Sequence, residues 1–209
     1  MLKKEKPHLF FVTLHRIIIC ETMDIHTILN NIYPLPEASE LSLTEHLEER
    51  WYPKGYRIVE IGKVEPNVFF LKKGIVRAYS LINGDEVSFW FGSEGSTVFS
   101  LESYINNQPG YETVELLEDS ILFVLKRDAL SHLFLNDIHI ANWGRKLAET
   151  EFIKAEKRII SLISLDAAGR YRELLRTIPD LLQRVPLGLI SSYLGVTQTT
   201  LSRIRAKIK

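Results

Sequence analysis

The chain has 209 residues, 45% of them apolar and 25% charged, proportions that exclude a disordered, collagen-like or low-complexity protein and leave room for one large domain or two small ones. Basic and acidic side chains number 26 each, and a net charge of zero argues, taken alone, against a polyanionic partner. The one cysteine, Cys20, rules out an intramolecular disulfide and leaves Cys-based zinc and iron–sulfur sites without ligands, so the reducing cytoplasm is the simplest compartment.

At the N-terminus, Lys3, Lys4 and Lys6 precede Leu9 to Val12 and Ile17 to Ile19, a loose imitation of a signal peptide. His15 and Arg16 split the apolar stretch and no small-residue cleavage site follows, so residues 1–22 read as an extra segment rather than an export signal. No apolar run approaches the roughly 18 residues of a membrane span. Ser42 with Glu45 has the capping-box spacing and predicts a short helix reaching about Arg50. Seven of the eleven glycines then fall between 55 and 110, spaced for short strands joined by tight turns. Asn83-Gly84 between two apolar arms predicts a type I′ hairpin, because both central residues must take positive φ. In its second arm Val87, Phe89 and Phe91 alternate with Ser88 and Trp90, while Ile121 to Leu125 is continuously apolar and reads as a strand buried on both faces. A β-barrel or roll from about 51 to 126 is expected.

Asp128 to Leu135 predicts a short helix, and Asn136 or Asp137 can cap a much longer one running from 137 to 164. Along it Ile138, Ala141, Arg145, Ala148, Phe152, Ala155, Ile159 and Leu162 follow 3-4 spacing, a heptad seam with one charged interruption. Such a seam seeks a partner helix, although it could also pack on its own barrel. A second apolar face, Trp143, Leu147, Ile153 and Ile160, is available for the barrel, which leaves Ala141, Ala148, Phe152, Ala155, Ile159 and Leu162 for a homodimer. A further helix is expected from Ala167 to Thr177, ended by Pro179.

Resolved along the chain, the zero charge is two opposite charges. Residues 165–209 hold eight basic and three acidic side chains, a net +5, which leaves 18 basic and 23 acidic in 1–164, a net −5. No acid follows Asp180. In that basic portion, residues 187–204 fit a helix-turn-helix site by site. Pro186 starts the first helix, Ile190 and Leu194 form its inner face, and small Ser191 sits at the close approach. Gly195 turns, Val196 plugs the core, Thr197 caps the second helix, and Leu201 with Ile204 are buried. Gln198, Thr199, Ser202 and Arg203 are left outward where a recognition helix meets base edges, while Arg205, Lys207, Lys209 and Arg184 suit phosphates.

The six histidines contain neither HExxH nor an i, i+4 pair, and GxGxxG, GxxxxGKS/T and GxSxG are absent. Neither an enzyme, a metal nor a cofactor has support in the sequence.

The order of a β-roll, a long heptad helix and a helix-turn-helix ending Leu201-Ser202-Arg203-Ile204 resembles the CRP/FNR family of bacterial transcription regulators over about residues 40–209. Lys54-Gly55, Gly62, Asn83-Gly84 and the stretch Phe69 to Arg77, which carries Phe-x-x-x-x-Gly-x-Val-Arg, are similar to the family's roll. The resemblance implies an α+β architecture in four parts: an extension (1–22), a cyclic-nucleotide-binding-like β-roll or jelly roll with flanking helices (23–136), a dimerisation helix (137–164) and a winged-helix-like helix-turn-helix domain (165–209). It also implies a cytoplasmic, non-enzymatic homodimer on two-fold-related double-stranded DNA, with RNA polymerase as a further partner.

In members that bind cyclic AMP, a Gly-Glu and a later Arg-Ser or Arg-Thr hold the ribose and the phosphate. The matching stretches here read Phe99-Ser100-Leu101-Glu102 and Pro109-Gly110-Tyr111-Glu112. The expected effector pocket, Ser100, Leu101, Glu102, Gly110 and Tyr111, therefore lacks the phosphate-binding cation, and Glu112 would repel a phosphate. An effector that is absent or unrelated to cyclic AMP follows. Arg203 matches the family's recognition arginine, whereas Gln198 and Thr199 replace a charged pair, which implies a different operator. The alternative is a small-ligand or cyclic-nucleotide sensor whose main output is a protein partner.

Overall fold

The computed structural model describes residues 22–208, so the expectations for the first 21 residues and for Lys209 lie outside it. Eight strands form two four-stranded antiparallel sheets: β1 (Leu47–Tyr52), β2 (Arg57–Val59), β3 (Val68–Lys73), β4 (Val76–Ile82), β5 (Asp85–Gly92), β6 (Thr97–Val98), β7 (Thr113–Leu116) and β8 (Ser120–Leu125). The sheet orders are β1-β8-β3-β6 and β2-β7-β4-β5, and their facing sides enclose Val59, Leu71, Val76, Leu116 and Leu122. The apolar run at 121–125 is the interior strand β8, paired on both sides. The Asn83-Gly84 turn joins β4 to β5 with φ of 55° and 91°, as a type I′ turn requires.

Two expectations for this half are corrected. The helix predicted from Ser42 toward Arg50 is instead the end of α2 (Glu37–Thr44), which follows α1 (Ile25–Ile32). Leu47–Tyr52 pairs residue for residue with β8, and a sheet partner outweighs local helix propensity. The alternation of β5 is broken as well. Ala78 pairs with Trp90 and Tyr79 with Ser88, so Phe89 is the extra residue of a bulge and is 40% exposed, while Ser88 turns inward.

Four helices cover the outer face of the β1-β8-β3-β6 sheet: α1, α2, α3 (Arg127–Asn136) and the first part of α4 (Ile138–Ser164). Asp137 caps α4, accepting from the His139 and Ile140 amides at 2.8 and 3.3 Å. Burial opposes its charge, but hydrogen bonds from Ser39 and those amides hold its carboxyl below the usual range. Trp143 is fully buried, donates its indole N–H to Leu29 O at 3.0 Å and packs on Phe70. Truncating such a residue costs about 3–5 kcal/mol. With Leu147 it anchors the helix.

Beyond Leu147 the helix leaves the sheet behind. Ile153 and Ile160, expected against the barrel, are 47% and 55% exposed. The 27 residues of α4 span about 40 Å, more than the roll can cover.

Helices α5 (Ala167–Thr177), α6 (Leu181–Arg184), α7 (Leu187–Leu194) and α8 (Gln198–Lys207) complete the fold. Among the described residues this C-terminal unit is all helix, without the strands of a wing. Its core, Tyr171, Leu174, Leu181, Ile190, Leu194 and Leu201, is continuous with Ile75, Phe91 and Leu117 of the roll. Ser192 of α7 bridges the free edge of β5, accepting from the Ser88 amide at 3.0 Å and donating to Glu86 O at 3.1 Å. Arg184 grips Glu94 through two bonds of 2.9 and 2.7 Å and also donates to Glu118. The Glu94 bonds raise its pKa above arginine's usual value, against the effect of burial, and Glu118 adds to them.

The Arg184 side chain is only 15% exposed, so its pairs lie between surface bridges and fully buried ones in strength. Arg184→Ala should weaken the docking by about 2 kcal/mol. Hydrogen exchange should then speed by about 30-fold in α7 while β8 stays protected. Unchanged exchange in α7 would place the docking energy on Ser192 and the apolar contacts instead.

Candidate nucleic-acid interface and ligand cavity

The second half of the C-terminal unit is built as two helices around one turn. Pro186 precedes α7, Ile190 and Leu194 are fully buried, and Ser191 donates to Gly188 O at 2.8 Å, which keeps its hydroxyl satisfied at the helix crossing. Gly195 takes φ +66° at the end of α7, a left-handed position that glycine reaches without strain. The Thr197 hydroxyl caps α8 by accepting from the Thr200 amide at 3.2 Å. Leu201 is fully buried and Ile204 partly so.

That arrangement leaves Gln198, Thr199, Ser202, Arg203, Arg205 and Lys207 exposed along α8, with Thr197 exposed at its start. Among the described residues no ion pair engages Arg203, Arg205 or Lys207. Their cations face outward on a helix whose exposed first turn, Gln198 and Thr199, is polar and uncharged. Arg184 stands apart from this face. The phosphate contact expected of it is replaced here by the carboxylates of Glu94 and Glu118, a pairing over 90 and 66 residues of chain.

A cavity of about 700 Å³ lies between the roll, α4 and the C-terminal unit. Leu101 and Tyr111, two of the five expected effector residues, line it. Ser100 and Gly110 are buried beside it, and Glu102, in a π-helical turn over Glu102–Asn106, accepts from Asn106 at 2.9 Å. A Cβ on Gly110 would meet Ser100 Oγ at 2.7 Å and the Glu112 carboxylate at 3.4 Å, so the space beside Gly110 is filled by a hydroxyl and an acid. Partial burial and then the Glu112 and Glu102 carboxylates push the Tyr111 phenol above its usual range.

The lining residues not anticipated as site residues include the polar Ser88, Glu112, Arg158 and Tyr193. Arg158 stacks on Tyr193 at 3.8 Å and donates to its carbonyl, and Tyr193 meets Phe91 edge-on at 5.3 Å. Burial lowers the Arg158 pKa and the nearby Tyr193 opposes that shift. The only signal for Ser88 in the sequence is a polar residue inside an otherwise apolar strand, which also describes a solvent-facing position, and Glu112 lies just before β7 with no such signal.

The expected dimerisation residues lie on the part of α4 that has left the roll. Ala141 is half-buried, whereas Ala148, Phe152, Ala155, Ile159 and Leu162 are exposed, Phe152 at 73%. Ala155, Ile159 and Leu162 also border the cavity. No group of metal-ligating side chains occurs among the described residues, and no helix is long and apolar enough to cross a membrane.

Residues 49–137 match the cyclic nucleotide-binding domain family. No curated protein sequence matches the chain. Among solved structures, FixK2 from Bradyrhizobium japonicum is similar with a TM-score of 0.65 at 21% identity, covering 78% of this chain and 84% of that one. The c-di-GMP responsive global regulator CLP from Xanthomonas campestris gives 0.59 at 16% identity over 83% and 91%. The catabolite activator protein of Thermus thermophilus gives 0.54 at 20% over 87% and 86%. Residues 49–137 are thus similar to the cyclic nucleotide-binding domain family and, with the long helix and C-terminal helices that follow, take the fold seen in FixK2, CLP and the catabolite activator protein.

Proposed function

We propose that the protein is a DNA-binding transcription regulator of the CRP/FNR type, a homodimer along α4 that reads a two-fold-related operator through α8. The observation that carries this reading is the outward face of α8, where Gln198, Thr199, Ser202 and Arg203 precede Arg205 and Lys207 on a helix capped by Thr197 and pinned by Leu201. The charge distribution supports it, since the +5 of residues 165–209 directs a polyanion to that end and the −5 of the remainder keeps it off the rest. The exposed apolar stripe of α4 supports the dimer, because a run containing Phe152, Ile159 and Ile163, the last 82% exposed, is costly to leave in water. A dimer of this form sets its half-sites about 34 Å apart.

The DNA reading is tested on duplexes selected from a random library by mobility shift. Arg203→Ala should cost about 1–3 kcal/mol and relax specificity at one base position, whereas Lys207→Ala should weaken all sequences alike and lower the salt slope by about one. Equal, sequence-independent losses from both would remove Arg203 from base recognition.

The dimer is tested by sedimentation. Phe152→Asp places a charge in the apolar seam and should yield monomers at concentrations where the native chain is dimeric. A variant that stays dimeric would move the interface off α4.

A further inference from the structure

The turn between α7 and α8 is tied to the long helix by two arginines. An α-helix leaves its last four carbonyls without partners of its own. In α7 those of Ser191 and Ser192 accept from the Val196 and Gly195 amides, the bonds that close around the left-handed Gly195. The other two are answered from outside the turn. Arg158 of α4 donates from Nη2 to Tyr193 O and stacks on the Tyr193 ring at 3.8 Å. Arg170 of α5 donates to Leu194 O from Nε and Nη2, at 3.1 and 3.0 Å, and to Leu165 O from Nη1 at 2.7 Å. Leu165 caps the C-terminus of α4, so one planar guanidinium spans the end of the long helix and the end of α7. Ser161 of α4 donates to Glu173 of α5 and ties those two helices together. Both cations sit at the negative end of the α7 dipole. Burial lowers the Arg158 pKa, Tyr193 opposes the shift and Arg170 adds to it, so the two guanidiniums are within electrostatic reach of each other.

We propose that Arg158 and Arg170 are positioning residues for DNA recognition: by gripping the last two carbonyls of α7 they fix the direction of α8 relative to α4, and with it the half-site spacing that the homodimer accepts. The inference rests on the reading of the chain as a homodimeric DNA-binding regulator. The polar ties to the roll act elsewhere, at Ser192 and at Arg184 before the start of α7, and they leave the last carbonyls of α7 to the two arginines. Released there, α7 can tilt about Ser192, and the ten residues of α8 act as a lever of about 15 Å, so a tilt of about 20° moves its far end by about 5 Å. Base edges are read by α8 itself. Arg158 and Arg170 touch no base in this role and act on the distance and phase between half-sites. Two extra base pairs turn one half-site by about 70° relative to the other, which a firmly held pair of α8 helices rejects.

The test uses the full-length protein in two arms. Without DNA, spin labels at Lys157→Cys on α4 and Ala206→Cys on α8, in a Cys20→Ser background and diluted with unlabelled chain, read the distance within one chain, which should be narrowly distributed. Arg158→Gln combined with Arg170→Gln should broaden that distribution by about 5 Å, with amide protection retained in α7 and β8. Arg170→Lys, which keeps the charge but loses the planar fork, should fall between. With DNA, an operator selected from random sequence is rebuilt with its spacer two base pairs longer. The native chain should discriminate against the longer spacer about tenfold or more and the double variant less than about threefold, with base preferences inside each half-site unchanged. An unchanged distance distribution in the double variant overturns the proposal, as does a broadening that comes only with loss of amide protection in α7, or a spacing preference that survives while base preferences change. A native chain that selects no duplex overturns the DNA reading instead, and the labelled distance still decides whether the two arginines direct α8.

Discussion

The fold depends on one helix having to satisfy two surfaces. Helix α4 begins at Asp137, is fastened to the roll by the buried Trp143 and its hydrogen bond to Leu29 O, and then outruns the sheet. An amphipathic helix that leaves its sheet still carries the apolar face that would have packed there, and burial of that face is what makes a long helix stable. The exposed Phe152, Ile159, Ile160 and Ile163 are thus a direct result of helix length against roll size. The same stretch forms one wall of the cavity through Ala155, Arg158 and Ile159, so whatever covers α4 also changes the shape of that cavity.

A second constraint is the open edge of β5, the last strand of its sheet. Unpaired strand backbone invites association, and proteins cover it. Here Ser192 answers one amide and one carbonyl of that edge, the Phe89 bulge shifts the β4–β5 register beside it, and the Arg184 clamp holds the C-terminal unit in place. Placing α7 on β5 closes one side of the cavity and brings α7 to within one side chain of Ser88. The contact between the roll and the C-terminal unit therefore combines a shared apolar core with the Ser192 bridge and the Arg184 clamp.

What could be read from the sequence is what is specified locally. The Asn83-Gly84 turn, the Asp137 cap, the length of α4 and the turn at Gly195 all follow from residue types acting on their own backbone, and the structure places each as expected. Leu47 to Arg50 reads as the end of a helix because its strand character comes from β8, more than 70 residues away in the chain. Ile153 and Ile160 were assigned to the barrel because a heptad pattern shows that an apolar face exists without showing what lies opposite it. Arg184 looked like a phosphate ligand from its place beside a basic helix-turn-helix, and its partners Glu94 and Glu118 belong to distant turns of the roll. That the Glu112 carboxylate packs beside Gly110 and Ser100 needed their positions in the fold.

The central claim is that two chains, joined along α4, present two copies of α8 to one DNA duplex. Native mass spectrometry of the protein with a duplex recovered by selection from random sequence measures this directly. The account predicts a complex of two chains per duplex, with no accumulation of a one-to-one species during titration. A stable complex containing a single chain would contradict it.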